Sequence, residues 1–147
     1  MRNIYAGKNS IAKIEVEGIV DTPREVLMIA YALTYDLANL LILDRSGNLR
    51  KADAKTINGR FAILYFLMKK FKMGVKAEKI VRKFHNLALA RLNGMNEITY
   101  VNSIREVALK SGLTYGEIAY VERKVNEVND YIHNPYFRNI KRVFGVW

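Results

Sequence analysis

The chain has 147 residues, 50% hydrophobic and 26% charged, a length that suits one domain with its own core. Its 24 Lys and Arg residues against 14 Asp and Glu residues give a net charge of +10. Because there is no cysteine, disulfides, thiol nucleophiles and cysteine-ligated zinc are excluded. A balance this basic favours a polyanionic partner, with nucleic acid before an anionic membrane.

The first 21 residues predict an extended arm. Ile11 to Val20 alternate apolar and polar residues, as a short strand does. Lys13, Glu15 and Glu17 interrupt the apolar run that a secretion signal needs, so we expect no Sec-type signal.

A capping box with Pro at the first helical position begins the first predicted helix: Asp21, Thr22, Pro23 and Glu25. We predict that this helix runs to about Leu43 and that Asp44 to Asn48 then make a turn. The run from Val26 to Leu43 is apolar on nearly all sides, but it is short for a membrane span and contains Asp36 and Asn39. We therefore expect a central buried helix, covered by its own chain or by a neighbouring subunit.

Helical periodicity predicts four more helices. The second runs from about Ala52 to Lys72, where Gly74 ends or bends it, and the third from Lys76 to Leu92. The fourth and fifth flank Gly112, and the fifth reaches about His133. The expected architecture is mainly α: a single domain with a bundle of about five helices over residues 22–133, an N-terminal arm (1–21) and a C-terminal tail (134–147).

The positive charge is concentrated in the middle of the chain. From Arg45 to Arg91 there are 13 basic and two acidic residues, a net charge of +11, whereas the rest of the chain sums to −1. We predict that this segment binds nucleic acid through phosphates. The candidate contact residues are Arg45, Arg50, Lys51, Lys55, Arg60, Lys69, Lys70, Lys72, Lys76, Lys79, Arg82 and Lys83.

Four of these lysines follow a helical spacing: Lys72, Lys76, Lys79 and Lys83. If the helix is continuous or merely bent at Gly74, they form one stripe of about 16 Å. A solvated face is the alternative interpretation, but such faces usually mix charges of both signs. The scarcity of acidic residues here favours a polyanion site.

The stretch REVALKSGLTYGEIAYV, Arg105 to Val121, has the spacing of a helix-turn-helix, with small Ala108 at the helix contact and Gly112 in the turn. It resembles the helix-turn-helix of the lac-repressor type family, which implies a DNA-reading transcription regulator. An ordinary helix hairpin, capped by Thr114 and Glu117, explains the same residues. Between Glu97 and Asp130 the net charge is −2, which disfavours approach to phosphates.

Reactive groups are few. The two histidines, His85 and His133, lack a second histidine or a carboxylate at metal-ligand spacing on the same helical face, and there is no Gly-rich phosphate loop. Arg82 and His85 resemble the Arg and His pair of HEPN ribonucleases, although the interval here is shorter than in that family. An RNA-cleaving toxin is therefore the third alternative, while we expect a non-enzyme without cofactor or metal.

The C-terminal tail mixes aromatic and basic residues and suits a contact between subunits near nucleic acid. Its candidate self-assembly residues are Tyr136, Phe137, Phe144 and Trp147. In size, basicity, lack of cysteine and helical make-up, the chain is similar to the coat proteins of filamentous viruses of hyperthermophilic archaea, whose helical subunits wrap DNA. That resemblance implies a structural protein of a virion or nucleoprotein complex, with double-stranded DNA and further copies of itself as partners.

Overall fold

The computed structural model describes residues 23–43 and 49–133, which form five α-helices and a two-stranded antiparallel sheet. The elements are α1 (Pro23–Asp36), a 3-10 turn (Leu37–Asn39), β1 (Leu41–Leu43), β2 (Leu49–Lys51), α2 (Ala54–Lys70), α3 (Val75–Leu92), α4 (Glu97–Lys110) and α5 (Tyr115–His133). The mainly α prediction is confirmed. The predicted arm, turn and tail lie outside the described residues, and so do Arg45 and the self-assembly residues Tyr136, Phe137, Phe144 and Trp147.

Helix α1 is the centre of the bundle. It contacts all four other helices, and Val26, Ile29, Tyr31 and Leu33 are each at most 1% exposed. Burying such side chains stabilises a fold by roughly 1.5–3 kcal/mol each. The prediction of a central buried helix is confirmed, and the chain itself provides the cover.

The prediction that this helix runs to about Leu43 is wrong, because α1 ends at Asp36. Leu40 adopts a left-handed φ of 60°, and the side chain of Asn39 accepts a 3.0 Å hydrogen bond from the Leu41 N–H. Arg91 of α3 donates two hydrogen bonds, of 3.0 and 2.8 Å, to the Ala38 carbonyl. These contacts satisfy backbone groups outside a helix and let the apolar run continue as a strand.

Helices α2 and α3 are separate, as the alternative that Gly74 ends the second helix predicted. Helix α2 ends at Lys70, and Lys72 takes a left-handed φ of 53°. The Met73 N–H donates to the Met68 carbonyl at 3.0 Å, the Schellman arrangement that usually places glycine where Lys72 stands. Gly74 is then the N-cap of α3, so it starts the third helix and does not bend the second. The chain turns back here, and α3 packs against α2.

A polar network ties α5 to the centre of the bundle. The Glu122 carboxylate accepts two 2.8 Å hydrogen bonds from Arg105 of α4 and one from the Tyr31 hydroxyl of α1. Burial acts to raise the pKa of Glu122, but the hydrogen bonds from Arg105 and Tyr31 outweigh it and hold this pKa below its usual value. The side chain of Glu122 is only 14% exposed, so the charge is well placed to stabilise the packing of three helices.

Replacing this charge should destabilise the fold. We expect Glu122→Gln to lower the free energy of unfolding by about 1–3 kcal/mol in urea at neutral pH, because Arg105 loses its ionised partner. The matched control is Glu127→Gln, an exposed position on the same helix, which should change the free energy of unfolding by less than about 0.5 kcal/mol.

The pH dependence of the free energy of unfolding gives a second test of Glu122. Because the folded-state pKa of Glu122 is depressed, its contribution is present above the unfolded pKa of about 4.5 and is lost as the pH falls through the folded value. Glu122→Gln should therefore lose less stability than the parent chain between about pH 5 and pH 3. An equal loss in both proteins would show that Glu122 contributes nothing to the acid sensitivity.

Candidate nucleic-acid interface

Three exposed lysines lie on one face of α3: Lys76, Lys79 and Lys83, which we call the α3 lysine face. They span about 10 Å along the helix axis at 1.5 Å per residue. Among residues 23–43 and 49–133, none of the three has an ion-pair partner. Their charges are therefore available to an external anion.

This face borders a groove between α3 and α4 of about 770 Å³, which we call the α3–α4 groove. Lys110 and Glu106 of α4 line its other side and form an ion pair of 2.7 Å. The rim thus carries four lysines and one glutamate. Half-buried apolar side chains line the groove below the rim: Ile80, Leu87, Ala90 and Val107.

On the opposite side of α3, which packs on α2, positive charge is paired with negative charge. Arg82 donates a 2.9 Å hydrogen bond to Glu78, and its guanidinium lies 5.1 Å from the centre of the Tyr65 ring. Arg82 is exposed but belongs to this paired side of the helix and not to the α3 lysine face.

The remaining predicted cations fall into two groups at opposite ends of α2. Exposed Lys69 and Lys70 are in its last turn, followed by exposed Lys72. Exposed Lys51 and Lys55 flank its start. The condition for a single stripe through Lys72, a continuous or merely bent helix, is not met, because Lys72 is in the turn between two separate helices.

Two of the predicted contact arginines are held by the fold, one through side-chain hydrogen bonds and one through burial. Arg50 donates a 2.6 Å hydrogen bond to Asp53 and a 2.9 Å one to the Thr56 hydroxyl. The Arg50 hydrogen bond and the Thr56 N–H lower the pKa of Asp53, the N-cap of α2, to about 2. Arg60 is only 4% exposed, so its predicted phosphate contact is wrong: a buried guanidinium cannot reach an external phosphate.

Helices α4 and α5 form the predicted hairpin, with Ala108 fully buried at the helix contact and Gly112 at a φ of 100° in the turn. The capping box is present. The Thr114 N–H donates to Glu117 at 2.8 Å, and the Glu117 N–H donates to the Thr114 hydroxyl at 3.1 Å. The Ala108 contact and the Gly112 turn are common to a helix-turn-helix and an ordinary helix hairpin, and the capping box is the feature of the hairpin interpretation.

The hairpin turn is fastened to the start of α1. Arg24 donates a 2.7 Å hydrogen bond to Glu117 and forms an ion pair with it. It also donates a 3.0 Å hydrogen bond to the Gly112 carbonyl. The Arg24 hydrogen bond, with that of the Thr114 N–H, lowers the pKa of Glu117 to about 2. At the start of α5, Tyr115 is 78% exposed, while Tyr120 lies 5.8 Å from the Arg123 guanidinium.

His85 is enclosed by α2. Its ring stacks on Phe61 with centres 4.6 Å apart, Nε2 lies 2.7 Å from the Asn58 amide oxygen, and Nδ1 lies 3.0 Å from the Tyr65 hydroxyl. A neutral ring satisfies both contacts, with Nε2 donating to Asn58 and Nδ1 accepting from Tyr65. Burial, with the nearby Arg82 charge, lowers the pKa of His85. This arrangement fixes the imidazole within the α2–α3 contact and does not present it to an external phosphate.

Sequence reasoning did not predict the α4 side of the groove. Lys110 lies in a segment of net negative charge, so a count along the chain hides it beside the α3 lysine face. Ile80 and Leu87 are half-buried at the groove, whereas Val81, Phe84 and Ala88 of the same helix are fully buried. The one available signal was that Ile80 and Leu87 sit at the lysine-side margin of the apolar face.

No protein-family model, no curated protein and no solved structure matches this chain. Within the part of the chain that the structure describes, no helix is both long enough and apolar enough to cross a membrane. The same residues contain no cluster of three or more histidines and carboxylates that would hold a metal ion.

The environment of His85 gives a titration prediction. We expect its imidazole to titrate below the ordinary value of 6.5 in an NMR pH series, with His133→Gln used to leave a single histidine signal. Because the folded-state pKa of His85 is lowered, the unfolded state binds a proton at a higher pH than the folded state does. The free energy of unfolding should therefore fall as the pH drops through about 6.5. Titration at or above 6.5 would contradict the enclosed neutral ring.

Proposed function

We propose that the chain is a structural nucleoprotein that binds double-stranded DNA through phosphate contacts, without sequence preference, and coats it by self-assembly. The observation that supports this proposal best is the α3 lysine face with Lys110 across the groove: among the described residues that line it there are four exposed lysines and one carboxylate, Glu106. Like charges held this close destabilise a fold unless a counter-charge is present.

Lysine is suited to phosphate contact and poorly suited to reading bases. An ammonium is a compact point charge, whereas readout in the major groove relies on bidentate Arg, Asn or Gln side chains. Double-stranded DNA presents one negative charge per about 1.7 Å of axis, so the roughly 10 Å face spans several phosphates. The geometry therefore favours binding that is strong at low salt and indifferent to sequence.

The coating part of the proposal is supported by the sequence. The aromatic residues of the tail exceed what one small core needs, and Arg138, Lys141 and Arg142 stand beside them. Self-association through the tail would place neighbouring lysine faces along one duplex, and each bound copy would assist the next.

A transcription regulator is the second candidate, favoured by the observed α4–α5 hairpin with its buried Ala108 and exposed Tyr115. Against it, Glu117 and the Gly112 carbonyl at the start of the would-be reading helix are bound by Arg24. A carboxylate at this helix end would also repel phosphates. We therefore assign the hairpin a packing role.

The salt dependence of DNA binding tests the main proposal. Each lysine that neutralises a phosphate contributes about 0.9 to the slope of log K against log salt concentration, so Lys79→Gln with Lys83→Gln should reduce the slope by about two. The measurement is fluorescence anisotropy on several unrelated duplexes, with electron microscopy of the saturated samples for filaments.

The matched control removes two charges from α5 by Arg123→Gln with Lys124→Gln. This variant should keep the parent slope, because it lies away from the α3–α4 groove. Equal effects of the two double variants would mean that net charge alone drives binding. A salt-independent affinity, or the lack of any assembly on saturated DNA, would overturn the proposal in its binding or its coating part respectively.

The regulator alternative has its own test at the exposed start of α5. We expect Tyr115→Ala to leave the affinities for all duplexes unchanged and equal, since this side chain is 78% exposed and outside the groove. One strongly preferred duplex, with the preference lost in Tyr115→Ala, would instead establish the hairpin as the DNA reader.

A further inference from the structure

Phosphate binding accounts for the lysine rim of the α3–α4 groove but not for its apolar floor. DNA would contact the lysines, and its phosphates would make no favourable contact with the apolar side chains below them. Ile80, Leu87 and Val107 are each half-buried and line a space of about 770 Å³. A ligand that fits the whole groove must combine apolar groups with negative charge.

The start of α1 lies near one end of this groove. Arg24, the second residue of α1, donates its 3.0 Å hydrogen bond to the carbonyl of Gly112, two residues beyond Lys110. Because α3 and α4 are joined by a short turn at residues 93–96, Lys110 and Lys76 lie at the same end of the hairpin. The residues that precede Pro23 therefore begin near the end of α4 that carries Lys110.

The segment is long enough to fill the groove. Residues 11–22 span up to about 40 Å when extended, at 3.3–3.6 Å per residue. The groove follows α3 from Lys76 to Ala90, which is about 21 Å at 1.5 Å per residue. Six or seven extended residues would fill it, roughly half of this segment.

The chemistry is complementary as well. Residues 11–22 carry Glu15, Glu17 and Asp21 against one Lys13, a net charge of −2, while Ile14 and Val16 alternate with the glutamates. In an extended segment alternate side chains face opposite ways, so Ile14 and Val16 would face the apolar floor. Glu15 and Glu17 would then lie at the mouth, within reach of the flexible lysine side chains of the rim.

The other terminal segment is a poorer occupant. Residues 134–147 contain Arg138, Lys141 and Arg142 and no acidic residue, so the lysine rim would repel them. They also follow α5, a helix of 19 residues whose first turn, and not its last, adjoins Arg24.

We propose that residues 11–22 dock in the α3–α4 groove of the same chain, where they cover its apolar floor and pair with its lysines. A second part rests on the proposed function: the docked segment competes with DNA for the α3 lysine face and so restrains binding until a polyanion displaces it.

The lack of cysteine makes docking directly measurable in the full chain. Val16→Cys is combined in turn with Ile80→Cys, Leu87→Cys and Val107→Cys, so that each variant contains one possible intramolecular disulfide. The matched control combines Val16→Cys with Ile98→Cys, a 73% exposed position on α4 that does not line the groove. Dilute protein is oxidised mildly, resolved on non-reducing gels and mapped by peptide mass spectrometry.

We expect a disulfide within one chain for at least one groove position and a much lower yield with Ile98→Cys. Cross-links found only between two copies would mean that the segment of a neighbouring subunit is the occupant and would overturn docking in the same chain. Equal yields at Ile98, or no disulfide at any of the three groove positions, would also overturn it.

The competition is tested by charge. Glu15→Gln with Glu17→Gln should tighten DNA binding by about three- to tenfold at low salt, the effect of losing two exposed ion pairs. Glu97→Gln with Glu127→Gln, two exposed carboxylates elsewhere, is the matched control and should change affinity much less. Equal tightening by both pairs would overturn the competition.

The two proposals fail in different ways. Disulfides at the groove in a protein that binds no DNA would sink the proposed function and leave docking intact. Steeply salt-dependent DNA binding without disulfides at the groove would overturn docking and leave the proposed function intact.

Discussion

The fold depends on covering α1. This helix is apolar on nearly all sides, so no single neighbour can bury it, and four helices pack around it. The neighbouring helices also provide hydrogen-bond partners for polar groups of α1: the Tyr31 hydroxyl donates to Glu122, and the Thr34 carbonyl accepts from Tyr100. Because each outer helix gives one face to α1, its remaining faces are free to carry charge, which decides where a partner can bind.

The distribution of charge on α3 follows from this arrangement. The side that packs on α2 is neutralised locally, since Glu78 pairs with Arg82, and burial together with the Arg82 charge lowers the pKa of His85. On the side that borders α4, no described residue forms an ion pair with the α3 lysine face, and Lys110 lies across the groove, paired with Glu106. One helix thus separates a structural side, where charge is paired, from a side where positive charge accumulates.

Periodicity in the sequence was enough to predict five helices and the buried character of the first. It could not predict the end of α1 at Asp36, because the decisive contact comes from Arg91, more than 50 residues away. Nor could it place Lys72 in a turn, since a left-handed lysine has no sequence signature of the kind that glycine provides. The groove was missed for a related reason: Lys110 joins the α3 lysine face only through the packing of two helices.

The two chemistries of the α3–α4 groove respond differently to salt, which sets the direction of any competition for it. Added salt screens the lysine rim and would weaken the proposed phosphate binding steeply, because each phosphate contact releases about one counterion and the rim would make several contacts. Contact of apolar side chains with Ile80, Leu87 and Val107 is not screened. A segment that uses both rim and floor therefore loses less affinity than DNA as salt rises. If both proposals hold, the groove favours DNA at low ionic strength and residues 11–22 at high ionic strength, so the salt concentration decides which of the two occupies it.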